Sequence, residues 1–376
     1  MATIIYYNPA TFPMTTFPEL HFGVEEEFAL LHADGTLANE AEALLARVPA
    51  AYKPERVKKD LHYCIVEIAT PVCDSPPAVE QSLRELRGVV GEAAAALDLR
   101  VISSGVHPTS PMEEGNLVET PRFRRLIDGG ALRGDGVHFG LHLHVSLDGP
   151  EARAGVVNFL RWHLPDLVAF SVNAPFYLGE YHDVKSVRLE YYDPVPTVGP
   201  PPVLASFEEW AEVLKSFAPY GVEGERDHYG DIRHRYSFPT IEFRVMDTQQ
   251  TLAETMAVAS YAWALVRHYR DLLGQEFLPP MTEDELRRNR EGAWRSGLEG
   301  AFDLHGEAVD RREYLGHTLH HLLARSGPEA PYLEVLAARL AAGETGADHQ
   351  LSFRRSDRLD GPALLAELER KFGEGV

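Results

Sequence analysis

Cysteine is scarce in this chain of 376 residues, which holds only Cys64 and Cys73. Two thiols cannot staple a fold of this size, and each lies in or beside a strand-like run. Free buried thiols in a reducing cytoplasm are therefore expected. Long apolar runs are missing as well: none approaches the roughly 20 residues that cross a bilayer, so no membrane partner is predicted. The opening MATIIYYNPATFPM has no basic segment ahead of an apolar one, which predicts no secretory signal. Basic residues are outnumbered, 36 Lys and Arg against 57 Asp and Glu, for a formal charge of −21. Binding nucleic acid needs a basic surface, so that class of partner is excluded. A nucleotide is not, because a few cations or metal ions inside a cleft can override the global field. Internal repeats and low-complexity segments are also absent.

What remains is an ordinary globular mixture, 44% hydrophobic and 25% charged, with enough apolar residues for a core. The length suits one large domain or two ordinary ones. We expect a single catalytic domain over 1–376, with a sheet-bearing core at about 20–275 and a mainly helical part at about 276–376.

Residues 20–30, 61–70, 99–105, 137–147 and 239–247 read as strands. Residues 76–97 read as a helix opened by Ser75 and Pro76, with Val79, Leu83, Leu86, Val89 and Val90 as its apolar stripe. A second helical stretch covers 152–171, and the proline-rich 193–202 reads as a stiff loop. Ser206 with Glu209, and Thr251 with Glu254, have capping-box spacing and predict helices running to Phe217 and Leu273. Strands and helices mix without a βαβ rhythm, so the expected class is α+β with a largely antiparallel sheet.

Side chains alternate between the two faces of a strand. Glu25 and Glu27 then share a face, with Val24 and Phe28 opposite. Glu67 faces away from Cys64, Val66 and Ile68. His142 and His144 oppose Leu141, Leu143 and Val145; Glu242 and Arg244 oppose Ile241, Phe243 and Val245. Each element alone has a plain explanation: an exposed edge, a carboxylate paired with an arginine, a satisfied histidine. Together they put carboxylates, imidazoles and a guanidinium on one face of a sheet. Ionised groups crowded in a cleft are costly unless paired or metal-bound. Oxygen ligands of this kind suit Mg2+ or Mn2+, which bridge protein carboxylates and substrate phosphates, an arrangement fit for phosphoryl transfer.

The segments GVEEEF (23–28), VEIATPVC (66–73), SGVHP (104–108), GLHLHVSL (140–147), NAPF (173–176), SVR (186–188), TIEFRVMD (240–247) and GADHQ (346–350) occur in an order and spacing that resembles the glutamate–cysteine ligase type 2 family. These are carboxylate–amine ligases of the glutamine synthetase-like fold. The resemblance implies a curved antiparallel sheet with helices on its outer face, binding ATP and magnesium. It also implies a glutamate-like acid, activated as an acyl phosphate and attacked by cysteine or another amine. Glu25, Glu27, Glu67, His142 and Glu242 match the metal-binding set, with Asp60 a further candidate. Arg244 matches the arginine that meets phosphates, while Arg188 and Arg233 resemble arginines used for phosphate or substrate carboxylate. For Arg233, pairing with the neighbouring Asp231 is the plain alternative. His107 is either a cavity residue or a turn histidine; Cys73 matches a family cysteine without a catalytic task. Relatives often form symmetric dimers, so a homodimer is expected. Two departures stand out. Ser146 occupies a position where many relatives have Gly. Tyr181-His182-Asp183 replaces an Asp/Thr-Gly element, in a stretch expected to contact the acid.

Two other readings compete. His142-Leu143-His144 on a strand is a zinc signal, so a metal-dependent amidohydrolase is one. A relative that binds nucleotide without turnover is the other.

Overall fold

The computed structural model describes residues 20–235, 238–273, 281–356 and 358–376. The opening segment read for a secretory signal lies outside these. Among the described residues, seven strands form the main sheet: β1 (Phe22–Leu31), β2 (Val57–Lys59), β3 (Ile65–Ala69), β4 (Arg100–Ile102), β5 (Gly140–Ser146), β6 (Ile232–His234) and β7 (Thr240–Asp247). Their order is β2-β3-β1-β5-β7-β6, every pairing is antiparallel, and β4 joins β1 beyond the end of β5. The expected α+β class with a largely antiparallel sheet holds.

One face of the sheet is core. Val24, Phe28, Val66, Ile68, Leu141, Leu143, Val145, Ile241, Phe243 and Val245 are buried there, in one apolar cluster with the helices Pro76–Ala95, Leu164–Ser171 and Leu252–Asp271. That cluster also takes in Leu286, Trp294, Leu315, Leu333 and Leu336 from the later helices. No helix among the described residues is long and apolar enough to cross a membrane.

Several local expectations need correcting. The capping box at Thr251 and Glu254 forms in both directions, but the one at Ser206 and Glu209 does not. That helix spans Glu209–Ser216, and the Glu209 carboxylate instead accepts from the Ala205 N–H at 2.7 Å. Ser75 precedes Pro76 at the predicted helix start, yet its hydroxyl donates to Asp74 rather than capping. The helical stretch over 152–171 is broken into Pro150–Leu160, a 3-10 turn Arg161–His163, and Leu164–Ser171. Pro165 lacks the N–H that would continue the helix. The C-terminal part, read as mainly helical, also holds a hairpin, Ala301–Leu304 with Glu307–Asp310.

Candidate active site

The register lines up the polar face of the sheet. Glu67 pairs across to Lys58 on one side and to Glu27 on the other. Glu25 pairs with His142, His144 with Glu242, and Glu242 with Arg233. All eight site residues read from the sequence (Glu25, Glu27, Glu67, His142, Arg188, Arg233, Glu242 and Arg244) line one cavity of about 630 Å3, as do Asp60 and His144.

A bulge shapes its middle. Leu141 pairs with Met246 and Leu143 with Phe243, so Arg244 and Val245 together oppose His142. An extra residue on one strand leaves backbone groups outside the ladder and redirects side chains. Arg188 takes up this slack, donating to the carbonyl oxygens of Val245 (3.2 Å) and Arg244 (3.0 Å). The Arg188 Nε has no hydrogen-bond partner among the described residues. Gly140 leaves room for both side chains: a Cβ would lie 2.8 Å from Arg188 Nη2 and from His142 Nε2, so either would have to shift. Its N–H donates to Glu27 Oε2 at 2.7 Å.

The carboxylates fall into two groups. Glu27, Asp60 and Glu67 each offer an oxygen within 4.8 Å of the others. Burial, then the charge of Asp60, pushes Glu27 up to about 8, although the Gly140 N–H, Arg188 and Arg244 oppose it. Glu67 is also pushed up, by burial and then by Glu25, against the pull of Lys58. Glu242 has the opposite fate. Burial would raise it, but Arg233, His144 and Arg244 hold it well below the usual carboxylate range. Arg233 grips it bidentately at 2.6 and 2.9 Å, Arg244 approaches to 2.6 Å, and Arg235 to 3.4 Å.

Between the groups, Glu25 Oε2 lies 3.4 Å from His142 Nδ1. Burial alone would raise Glu25, yet His142, His144 and Lys58 bring it below its ordinary range. His142 is pushed down to about 3 by burial and then by Arg244, so it is neutral at pH 7. Its Nδ1 faces Glu25, and its Nε2 lies 3.9 Å from Glu27 Oε1. A neutral imidazole and carboxylates short of partners form a donor set for a cation.

Some candidates are placed differently from their plain readings. Arg233 does not pair with Asp231, which is held by Arg290 at 2.6 Å. His107 is a turn histidine: it is 2% exposed, and its Nδ1 accepts from the Thr109 and Ser110 N–H groups. Tyr181, His182 and Asp183 do not line the cavity; from that stretch only Arg188, Leu189 and Tyr192 do. Tyr181 packs instead against a separate apolar cluster around Phe176. Ser146 accepts from the His21 N–H at 2.8 Å. Sequence reasoning missed Lys58, Arg122, Arg235 and Tyr229 on the cavity wall. Lys58 carried a usable signal, two residues before Asp60, but β2 is too short to show alternation.

The architecture recurs in known enzymes. The glutamate–cysteine ligase of Francisella tularensis, solved in complex with AMP, superposes with a TM-score of 0.68 at 11% identity, over 97% of this chain and 94% of that one. A bifunctional glutathione synthetase from Pasteurella multocida gives 0.68 at 17% identity, over 94% of this chain and 52% of the other. In sequence, the glutamate–cysteine ligase of Haloquadratum walsbyi is 29% identical over 346 residues, 90% of this chain and 93% of its own. A relative from Rubrobacter xylanophilus is 34% identical over 372 residues, 92% of this chain and 93% of its own. The class is a carbon–nitrogen ligase, joining a carboxylate to an amine on the fold of the Francisella tularensis enzyme. Residues 21–364 match the profile of glutamate-cysteine ligase family 2, and the chain belongs to that family.

Proposed function

We propose that this ligase is cytoplasmic and uses ATP with Mg2+, for which Mn2+ can substitute. It phosphorylates the carboxylate of a glutamate-like acid and passes the acyl group to cysteine or another amine. The convergence of Glu27, Asp60 and Glu67 in a cavity whose far wall carries Arg233, Arg235 and Arg244 supports this reading most strongly. Two buried carboxylates pushed upward by burial and by neighbouring charge are the donor set a divalent cation satisfies. Glu25, Glu27, Glu67, His142 and Glu242, with Asp60, would hold the ions. Once bound, these would neutralise charge building on the transferred phosphoryl group. Glu242 is so engaged with arginines that its share in cation binding requires a guanidinium to turn away, toward phosphate.

The chain's own groups supply position and charge. Arg244, set by the bulge and reaching over Tyr229, meets the phosphates. Arg188, which lines the same cavity, meets the transferred group, and Arg233 fixes the Glu242 carboxylate. An apolar compartment of about 730 Å3, which shares Glu25, Lys58, His144 and Phe238 with the polar cavity, takes the base. A carboxylate oxygen of the acid attacks the γ-phosphorus and ADP leaves. The amine nitrogen then attacks the acyl carbon and phosphate leaves, its proton passing to a nearby carboxylate or phosphate oxygen.

The test is ATP turnover with Mg2+ across a panel of small acids and amines, cysteine included, with Glu67→Gln alongside. ADP and phosphate that need both an acid and an amine, and vanish in the variant, are expected. Bound zinc with amide cleavage and no ATP turnover would replace this reading with the amidohydrolase. Nucleotide binding without turnover on any pair would leave a non-catalytic relative.

A further inference from the structure

The trio Glu27, Asp60 and Glu67 is short of positive charge. Among the described residues, a single lysine or arginine comes within 4.0 Å of its carboxylate oxygens: Lys58, whose Nζ is 2.8 Å from Glu67 Oε1. The same ammonium lies 4.0 Å from Glu25 Oε1. The arginines of the opposite wall are committed elsewhere. Arg233 and Arg244 hold Glu242, and Arg188 holds the bulge carbonyls. Lys58 differs from them in build. It is a point charge on a flexible stem, its side chain is 40% exposed, and it meets Glu67 at one oxygen rather than through a planar fork. It also stands at the seam, lining both the polar cavity and the apolar compartment.

A cation that loads onto Glu67 meets the ammonium that now sits on one of its two carboxylate oxygens. Two positive charges cannot share it at 2.8 Å without strong repulsion. The displaced ammonium stays tethered at the seam, where phosphates joined to a base in the apolar compartment would pass. We propose that Lys58 is a displaceable counter-ion. It neutralises Glu67 while the site is empty, yields that oxygen to a divalent cation, and turns to the nucleotide phosphates. This rests on the ATP-dependent reading above. It predicts a signature no purely structural role has: removing Lys58 should tighten metal binding and weaken nucleotide binding together.

The experiment titrates Mn2+ into nucleotide-free wild type, Lys58→Met and Lys58→Arg, followed by the paramagnetic resonance of free Mn2+. ATP affinity is then measured calorimetrically at saturating Mg2+, with thermal melts to check folding. In Lys58→Met, Mn2+ should bind about 5-fold more tightly, because a competing exposed charge is gone. ATP should bind about 10-fold more weakly, because a charged contact to phosphate is lost. Lys58→Arg should lie between wild type and Lys58→Met on both axes. If wild type binds both ligands and Lys58→Met shifts neither, or weakens both, the counter-ion role is wrong and the ligase reading stands. If wild type binds neither Mn2+ nor ATP, the ligase reading itself is wrong.

Discussion

Three consecutive glutamates on β1 meet opposite environments. Glu26 points into the core, where it and Arg87 are both fully buried. Arg87 donates to its two oxygens at 2.9 and 2.5 Å, and the Thr255 hydroxyl adds a third bond at 2.6 Å. Glu25 and Glu27 point to the other face, beside Glu67 and Asp60, where Lys58 is the one lysine or arginine within 4.0 Å of these four carboxylates among the described residues. On the core side the glutamate is paired within the chain. On the site side the shortage is left open for something that binds. Glu26 and Glu27 are both buried; what differs between them is a cation bonded to the carboxylate.

The largest expected effect is on the open side. Glu67→Gln should lower ligase turnover by about 1,000-fold, because the proposed cation site loses one of its charged oxygens. Its melting temperature should stay level or rise, since a repelled buried carboxylate is gone. Steady-state kinetics beside a thermal melt checks both. The sealed side should behave in reverse. Arg87→Met strands Glu26 and should cost about 3–5 kcal/mol in urea unfolding. Adding Glu26→Gln should recover most of that loss. Equal losses of stability from Glu67→Gln and Arg87→Met would break the contrast between the faces.

A third prediction uses pH. Burial holds His107 down to about 4, below its ordinary 6.5. Between those values the unfolded chain binds the extra proton and the folded one does not. The stability from keeping His107 neutral is therefore complete above about pH 6.5 and is lost as pH falls toward 4. Its full size is on the order of 3 kcal/mol. His107→Asn keeps an acceptor for the Thr109 and Ser110 N–H groups, and should flatten the acid limb of stability against pH by one proton's share. An unchanged acid limb would show that His107 does not carry it. The smallest effects concern the caps. Thr251→Ala should cost about 1 kcal/mol, whereas Ser206→Ala should be nearly neutral because its capping bond is not made.

The period-2 alternation made the open face legible, since a strand exposes its function through side-chain direction alone. It also placed Glu26 between Val24 and Phe28 on the core side, a signal that was available and went unused. Arg87 was traceable as the charged residue adjoining Leu83, Leu86 and Val90. Lys58 was hidden by the brevity of β2, Val57–Lys59. The C-terminal hairpin was hidden by its turn. His305 and Gly306 both have positive φ, 56° and 86°, the two-residue hairpin geometry usually announced by Asn-Gly or Asp-Gly. The idle Ser206 cap shows the limit of spacing rules: Glu209 had a nearer donor in the Ala205 backbone.

The most direct test of the central claim follows oxygen. The acid that supports turnover is labelled with 18O in its carboxylate and incubated with Mg2+, ATP and the amine, and the released phosphate is analysed by mass spectrometry. Activation as an acyl phosphate predicts one 18O in each phosphate released. Unlabelled phosphate accompanying amide formation would contradict it, and would mean that the carboxylate face does not serve phosphoryl transfer to the acid.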